Sequence, residues 1–407
     1  MSSRPVALGE VADLLIGVAF KSAGFLDADG EGIKLLRGDN VQQGAIRWDD
    51  KTKRWPIGDF DELSRYQLQL GDVILAMDRP IVGGGLKLAW VRRDDLPSLL
   101  VQRVCCMRGR PELADTLYLR YVLSAPQFSA HIDRITTGAN IPHISGRDIA
   151  SYSFSLPPLN EQRRVASAIA AYDDLIENNQ RRIKLLEEAA RRLYREWFVA
   201  LRFPGHERVK VVDGVPRGWD RDSLADIAVV NESTITARNP PDTVLYVDIA
   251  SVGIGVIHEA TEHAFSDAPG RARRKVRHGD TIWSCVRPNR RSFALIWEPA
   301  DNLVASTGFA VLTAKAVPFS YLYLAVTTDE FVGHLEANAT GAAYPAVSAK
   351  DFETASLLRP TASVLIEFDL RVQPLLKQRD LLNRQCRVLK QARDALLPRL
   401  MSGALAV

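Results

Sequence analysis

The segment Thr137-Gly138-Ala139-Asn140-Ile141-Pro142-His143-Ile144-Ser145 occurs a second time, as Thr340-Gly341-Ala342-Ala343-Tyr344-Pro345-Ala346-Val347-Ser348, at an offset of 203 residues. A long-period repeat constrains a fold more than any single motif, because both copies must satisfy the same backbone geometry. The register persists downstream, where Arg147-Asp148-Ile149 matches Lys350-Asp351-Phe352. Upstream the offset drifts, as it does when loops vary and elements are kept. Gly71-Asp72-Val73-Ile74 answers Gly279-Asp280-Thr281-Ile282, Arg79-Pro80 answers Arg287-Pro288, and Gly44-Ala45-Ile46 answers Gly255-Val256-Ile257. Two related units therefore occupy residues 1–157 and 206–359. Short apolar runs bounded by Gly, Pro and Asp predict strands in each, with a helix near 117–124 in one copy and 319–327 in the other.

A long helix is expected after each unit, over residues 158–205 and 360–407. Residues 161–198 contain neither proline nor glycine, and Ile169, Tyr172, Ile176, Asn179, Ile183, Leu186, Ala190, Leu193 and Trp197 alternate in steps of three and four. The same register in the second segment reads Val372, Leu375, Arg379, Leu382, Cys386, Leu389, Arg393, Leu396 and Leu400. Two such seams should pack on each other, with Ile169, Tyr172, Ile176, Ile183, Leu186 and Leu193 facing Val372, Leu375, Leu382, Leu389 and Leu396. Asn179, Arg379 and Arg393 would cost stability and set register. The alternative is that each helix packs on its own globular unit. Pro374 is expected to start or kink the second helix. The fold class that follows is α+β: two repeated α/β domains separated by two long helices that pair as an antiparallel coiled coil.

At 407 residues, with 46% apolar and 25% charged side chains, the chain suits several globular cores. No apolar run is long enough to span a bilayer and the first residues have no hydrophobic signal core, so a cytoplasmic protein without membrane contact is expected. Cys105, Cys106, Cys285 and Cys386 lack metal-ligand spacing and are expected to be buried free thiols, with no metal site. The net charge is only +3, so any nucleic-acid signal must be local. It is concentrated in residues 271–291, where Arg271, Arg273, Arg274, Lys275, Arg277, Arg287, Arg290 and Arg291 face only Asp280. A solvated charged face is the competing reading of this run.

No catalytic constellation is visible. Asn239-Pro240-Pro241-Asp242 lacks the aromatic that would stack on a flipped base in an adenine methyltransferase. Gly253-Ile254-Gly255-Val256-Ile257-His258 lacks the third glycine of a dinucleotide loop, so both are expected to be turns. No GxxxxGK[ST] or GxSxG pattern occurs, and His131 and His143 are expected to be structural or DNA-facing rather than catalytic.

Leu156-Pro157-Pro158-Leu159-Asn160-Glu161-Gln162-Arg163-Arg164-Val165, continuing through Asp173-Asp174-Leu175-Ile176-Glu177-Asn178-Asn179 to Leu193-Tyr194-Arg195-Glu196-Trp197-Phe198, resembles the central conserved region of type I restriction-modification specificity subunits. Leu396-Leu397-Pro398-Arg399-Leu400-Met401-Ser402-Gly403 resembles their distal conserved region, and the Gly-Asp-x-Ile and Thr-Gly-Ala segments resemble their target-recognition domains. The resemblance implies a DNA sequence-specificity subunit that recognises a bipartite site on double-stranded DNA. It implies two modification (methyltransferase) subunits as partners, together with restriction subunits. S-adenosylmethionine, ATP and magnesium would then sit on the partners, with no cofactor on this chain. The second helix, entered by Arg359-Pro360-Thr361-Ala362, lacks the Pro-Leu-x-Glu-Gln signature of the first. A solitary tandem-domain regulator and a degenerate or fused methyltransferase component are the rival readings.

Recognition domains of this kind differ most where they read DNA, so the contact residues are chosen on chemistry. The loop after Gly-Asp-x-Ile offers Arg79 and Lys87 in one copy and Arg287, Asn289, Arg290 and Arg291 in the other, and the basic run adds Arg271, Arg273, Arg274 and Lys275. The Thr-Gly-Ala loops offer Thr137, Asn140 and His143, and Thr340 and Tyr344. Arginine can fork onto guanine and asparagine onto adenine, or the same side chains can grip phosphate. About 30 paired helical residues would make a rod of roughly 45 Å, which is expected to set the spacing of two half-sites.

Overall fold

The structure, a computed structural model, describes residues 4–83, 85–137, 142–236, 238, 240–401 and 404–405. It divides into two compact units, residues 1–176 with 387–407, and residues 177–386. The boundary cuts each long helix, so each unit holds one sequence repeat and a portion of both helices instead of leaving the helices as separate bodies.

In the first unit a four-stranded antiparallel sheet runs in the order Ala12–Ile16, Val104–Gly109, Val73–Ala76, Leu88–Trp90. A smaller sheet pairs Ile33–Leu36 with Arg54–Trp55 and, in parallel, with Ser98–Leu100. Helices Thr116–Ser124, Pro126–Ile135 and Gly146–Ala150 follow, and strand Ser153–Leu156 returns to pair with Arg4–Ala7. The second unit repeats this plan. Its four-stranded sheet runs Ala228–Val230, Phe309–Ala314, Thr281–Ser284, Phe293–Leu295, its helices are Phe319–Ala325, Asp329–Asn338 and Ala349–Glu353, and Ser356–Arg359 returns to Asp220–Ser223. It adds one strand, Ala272–Lys275, at the edge of its second sheet.

Local chemistry accounts for the matched elements. Val73–Ala76 is buried on both faces, as its unbroken apolar run requires. Asp115 caps its helix by accepting from the Tyr118 amide at 2.9 Å, and Ser145 with Asp148 and Ser348 with Asp351 form capping boxes. His131 lies 3.1 Å from the Asp148 carbonyl and His334 lies 2.8 Å from the Asp351 carbonyl, so these histidines tie helices together in both copies. Gly44 and Gly255 occupy the same tight turn with φ of +75° and +74°, where a side chain would be strained. Its flanks pair as Val41 with Ile46 and Val252 with Ile257, so the Gly253–His258 segment is a turn, as expected.

The Gly-Asp-x-Ile signature is also structural. Asp72 Oδ2 accepts from the Gln69 amide at 2.7 Å and Asp280 Oδ2 accepts from the Arg277 amide at 2.8 Å, closing the same turn. The other bonds differ between copies. Arg108 forks onto Asp72, from Nε at 2.5 Å and Nη2 at 2.7 Å, whereas the Thr313 hydroxyl donates to Asp280 at 2.6 Å. Burial pushes the Asp280 carboxyl up, partly offset by the bonds from Thr313 and the Arg277 amide.

The first long helix is Leu159–Tyr194, continued by a π-helical turn at Arg195–Val199, and the second is Ala362–Met401. Pro374 neither starts nor ends the second helix, which runs through it: the carbonyl it strips of a partner belongs to Leu370, an exposed position that solvent reaches. In the first unit Val165, Ala166 and Ile169 of one helix and Leu400 of the other share a core with Leu119, Phe128 and Ile132. In the second, Tyr194, Trp197 and Phe198 and Phe368, Val372 and Leu376 share one with Trp283 and Tyr321. The helices thus pack on the repeats as well as on each other.

Direct pairing is antiparallel. In the second unit Asn179 donates to Gln385 at 3.4 Å while Arg379 lies 3.5 Å from Glu187, so partner numbers fall as residue numbers rise. In the first, Arg393 Nη1 donates to Asp173 at 2.7 Å. Ile169, Ile176, Val372 and Leu382 of the expected seam are buried, and Tyr172, Ile183, Leu186, Leu193, Leu375, Leu389 and Leu396 are half-buried. Leu175, Leu185, Leu370 and Val388, off the seam, are exposed. The signature Gln162 is a buried bracket, accepting from the Asp115 amide and donating to the Leu113 and Pro157 carbonyls. The second copy has Leu365 there, buried in the apolar core instead.

Candidate nucleic-acid interface

In each unit two loops distant in sequence meet on the same backbone frame. The Arg79 amide donates to the Pro142 carbonyl at 2.7 Å, and the Arg287 amide donates to the Pro345 carbonyl at 2.7 Å. Met77 donates to the Arg103 carbonyl and Cys285 to the Gly308 carbonyl, both at 2.9 Å. Bridges Asp78–His143 and Thr137–His143 in one copy are answered by Val286–Ala346 and Thr340–Ala346 in the other. Arg79 and Arg287 both hold left-handed backbone, at φ of +46° and +52°, uncommon for a residue with a side chain.

The hydrogen bonds between the loops are shared and the side chains beside them are not. In the first unit His143 Nδ1 lies 2.7 Å from Asp78 Oδ1, and Arg103 Nη1 lies 3.2 Å from His143 Nε2. Arg79 and Thr137 are exposed beside this cluster. Lys87 is half-buried, its amide bonded to the Pro80 carbonyl, and burial pushes its ammonium below the usual lysine value. Asn140 lies outside the described residues, as do Asn239 of the Asn-Pro-Pro-Asp turn and Ser402-Gly403. In the second unit the Arg287 guanidinium sits over the exposed Tyr344 ring, 4.4 Å from its centroid, and donates to the Ala343 carbonyl at 3.3 Å. Asn289 and Arg290 are exposed on the short helix Pro288–Arg290, and Arg291 pairs with Asp329 at 2.6 Å.

The basic run is no uniform patch. Strand Ala272–Lys275 reaches the loop through Thr307-Gly308, since the Thr307 amide donates to the Arg271 carbonyl and Gly308 accepts from Cys285. Arg271 and Lys275 are exposed. Arg273 is stacked on Phe265 at 4.5 Å and Arg274 reaches the Thr234 hydroxyl at 3.3 Å, so both are partly committed to the fold. Arg277 is spent on Glu232 at 2.7 Å and on the buried Asp280. Sequence reasoning missed Asp78 and Arg103, which are 25 residues apart and unlike their counterparts Val286 and Gly308. Only the closing of the loops brings them to His143.

No group of His, Cys, Asp and Glu among the described residues is arranged to hold a metal ion, and no helix among them is long and apolar enough to cross a membrane. All four cysteines are free, and burial raises the Cys105 thiol to about 12 and the Cys285 thiol to about 11, so neither is a ready nucleophile.

Residues 3–188 match the family model of the type I restriction modification DNA specificity domain. The chain is 30% identical over 188 residues to the type I restriction enzyme MjaVIII specificity subunit of Methanocaldococcus jannaschii, an alignment covering 46% of this chain and 43% of that protein. It is 26% identical over 307 residues to the MjaIX specificity subunit of the same organism, covering 71% and 69%. The match thus spans less than half the length of the first relative and just over two thirds of the second. The fold is that of the crystal structure of a type I restriction-modification S subunit from M. genitalium, with a TM-score of 0.63 over 98% of this chain and 96% of that one at 14% identity. The first repeat and the start of the long helix thus resemble the type I restriction modification DNA specificity domain, and the fold across both repeats is that of a solved S subunit.

Proposed function

We propose that this chain is the DNA-specificity subunit of a type I restriction-modification system and reads a bipartite site on duplex DNA, one half-site per unit. The observation that carries this reading is the shared set of hydrogen bonds between the loops, with variable, cation-rich side chains beside it. Loops closed in the same way offer the same approach to a groove twice, while different side chains select different base edges. The chain itself carries out no chemistry in this reading. It directs two modification subunits, and restriction subunits with them, to the site. S-adenosylmethionine belongs to the former, and ATP and magnesium to the latter.

Exchanging residues 206–359 for the matching unit of a relative, and mapping methylated adenines in cells that carry the modification subunit, tests the proposal. One half-site should be replaced and the other kept. Methyl transfer by the purified chain alone, or loss of both half-sites in a folded exchange variant, would overturn it.

A further inference from the structure

The cluster Asp78, His143 and Arg103 has no equivalent in the second unit, although the hydrogen bonds between the loops that carry it do. The bonds that fix equivalence place Val286 where Asp78 stands, Ala346 where His143 stands and Gly308 where Arg103 stands. Three polar side chains that touch one another in one copy are thus replaced together by two small apolar side chains and a glycine in the other. The inter-loop hydrogen bonds are shared between the copies, but the backbone at Arg103 is left-handed where that at Gly308 is not, so both the side chains and the turn that carries Arg103 are particular to the first unit and serve something other than those shared bonds.

Stability does not explain the set. The Arg103–Asp78 approach is 3.9 Å, between side chains 58% and 36% exposed, and such pairs contribute little to folding. Arg103 also holds left-handed backbone, at φ of +68°, a region that disfavours any residue with a side chain. What the cluster does is hold a cation. Asp78 anchors the His143 ring through Nδ1, the ring lies against Arg103 Nη1, and Nη2 has no partner among the described residues. A half-exposed arginine ordered from behind, with its outer edge open, loses little entropy on binding.

We infer that Arg103 is the base-reading side chain of the first unit, recognising guanine, with Asp78 and His143 as its positioning residues. The guanidinium edge presents two parallel donors, and guanine in the major groove presents two acceptors, O6 and N7, at matching separation. Adenine places a donor where O6 would be. The second unit has no arginine there and presents the Arg287–Tyr344 stack instead. This inference rests on the reading of one half-site per unit.

The test uses the full chain with its modification subunit and a library of randomised duplexes. The parent should select two half-sites, with guanine fixed at one position of the first. Arg103→Gln should lose that preference roughly tenfold, leaving the other positions and the second half-site as they were. His143→Ala and Asp78→Asn should weaken the preference at that same position, and His143→Gln, which restores a hydrogen-bonding group, should recover part of it. Retention of the second half-site reports that the variant is folded. Arg103→Lys, which keeps charge and stem but not the fork, carries the same test if the glutamine variant is unstable. A uniform loss of affinity for all sequences with a lower salt slope makes Arg103 a phosphate contact and overturns the inference, as does an unchanged selection. A parent that selects no split site at all overturns the proposed function instead.

Discussion

Arg379 Nη1 donates to the Tyr323 hydroxyl at 2.9 Å, so a cation on the second long helix ends inside the second unit, buried and 3.5 Å from Glu187. Its Nε has no hydrogen-bond partner among the described residues. A charge at a seam position is costly to desolvate and is tolerated only with partners, and an alternative helix register would leave it with none.

Removing the charge and removing its partner should therefore differ in effect. Arg379→Leu fills a seam position with an apolar side chain and should shift stability by no more than about 1 kcal/mol. Glu187→Ala strands the buried cation and should cost about 2–3 kcal/mol, less than a fully buried pair because Glu187 is partly exposed. Denaturant unfolding of the two variants and of the double variant measures the difference. Equal losses would show that the pair is not what holds Arg379 in the seam.

The two Gly-Asp turns should respond differently to amidation. Asp72→Asn leaves Arg108 without its carboxylate and should destabilise the first unit by about 3 kcal/mol at neutral pH. Asp280 is different because burial raises its native carboxyl above 3.8. The native state then holds the proton more tightly than the unfolded chain, so the contribution of Asp280 is most favourable at or below 3.8. It is lost as pH rises from there through the raised native value. Relative to Asp280→Asn, the parent should lose stability with rising pH across that window. Unfolding followed from pH 3 upward checks the sign, and a parent that gains on the variant would contradict it.

The basic strand should act on all sequences alike. Arg271 and Lys275 are exposed and, among the described residues, have no ion-pair partner, whereas Arg273 and Arg274 are tied to Phe265 and Thr234. Replacing Arg271 and Lys275 by Gln should weaken binding to specific and random duplexes equally and lower the salt slope by about 0.9 for each phosphate the strand no longer neutralises. Titrations at several salt concentrations read this directly. A changed base preference would move the strand from backbone grip to sequence readout.

The repeat was legible because elements under common packing constraints keep common residues: Gly44 and Gly255, Asp72 and Asp280, Asp148 and Asp351 each satisfy the same turn or cap twice. The helix seam was legible because helical periodicity is written locally, residue by residue, and every position in it proved buried or half-buried. The uninterrupted passage of the second helix through Pro374 was not, since propensity cannot weigh one lost hydrogen bond at an exposed carbonyl against the packing of Phe368, Val372 and Leu376 on the second unit. Nor was the division of the basic run. Sequence counts Arg277 and Arg291 with the free cations, and only the fold brings up Glu232 and Asp329 to neutralise them. The cluster of Asp78, Arg103 and His143 is the extreme case. Its members come from three separate turns, obey no period and have unlike counterparts in the other copy, so their meeting depends on loop closure alone, and loop closure is settled by tertiary hydrogen bonds that no local pattern encodes.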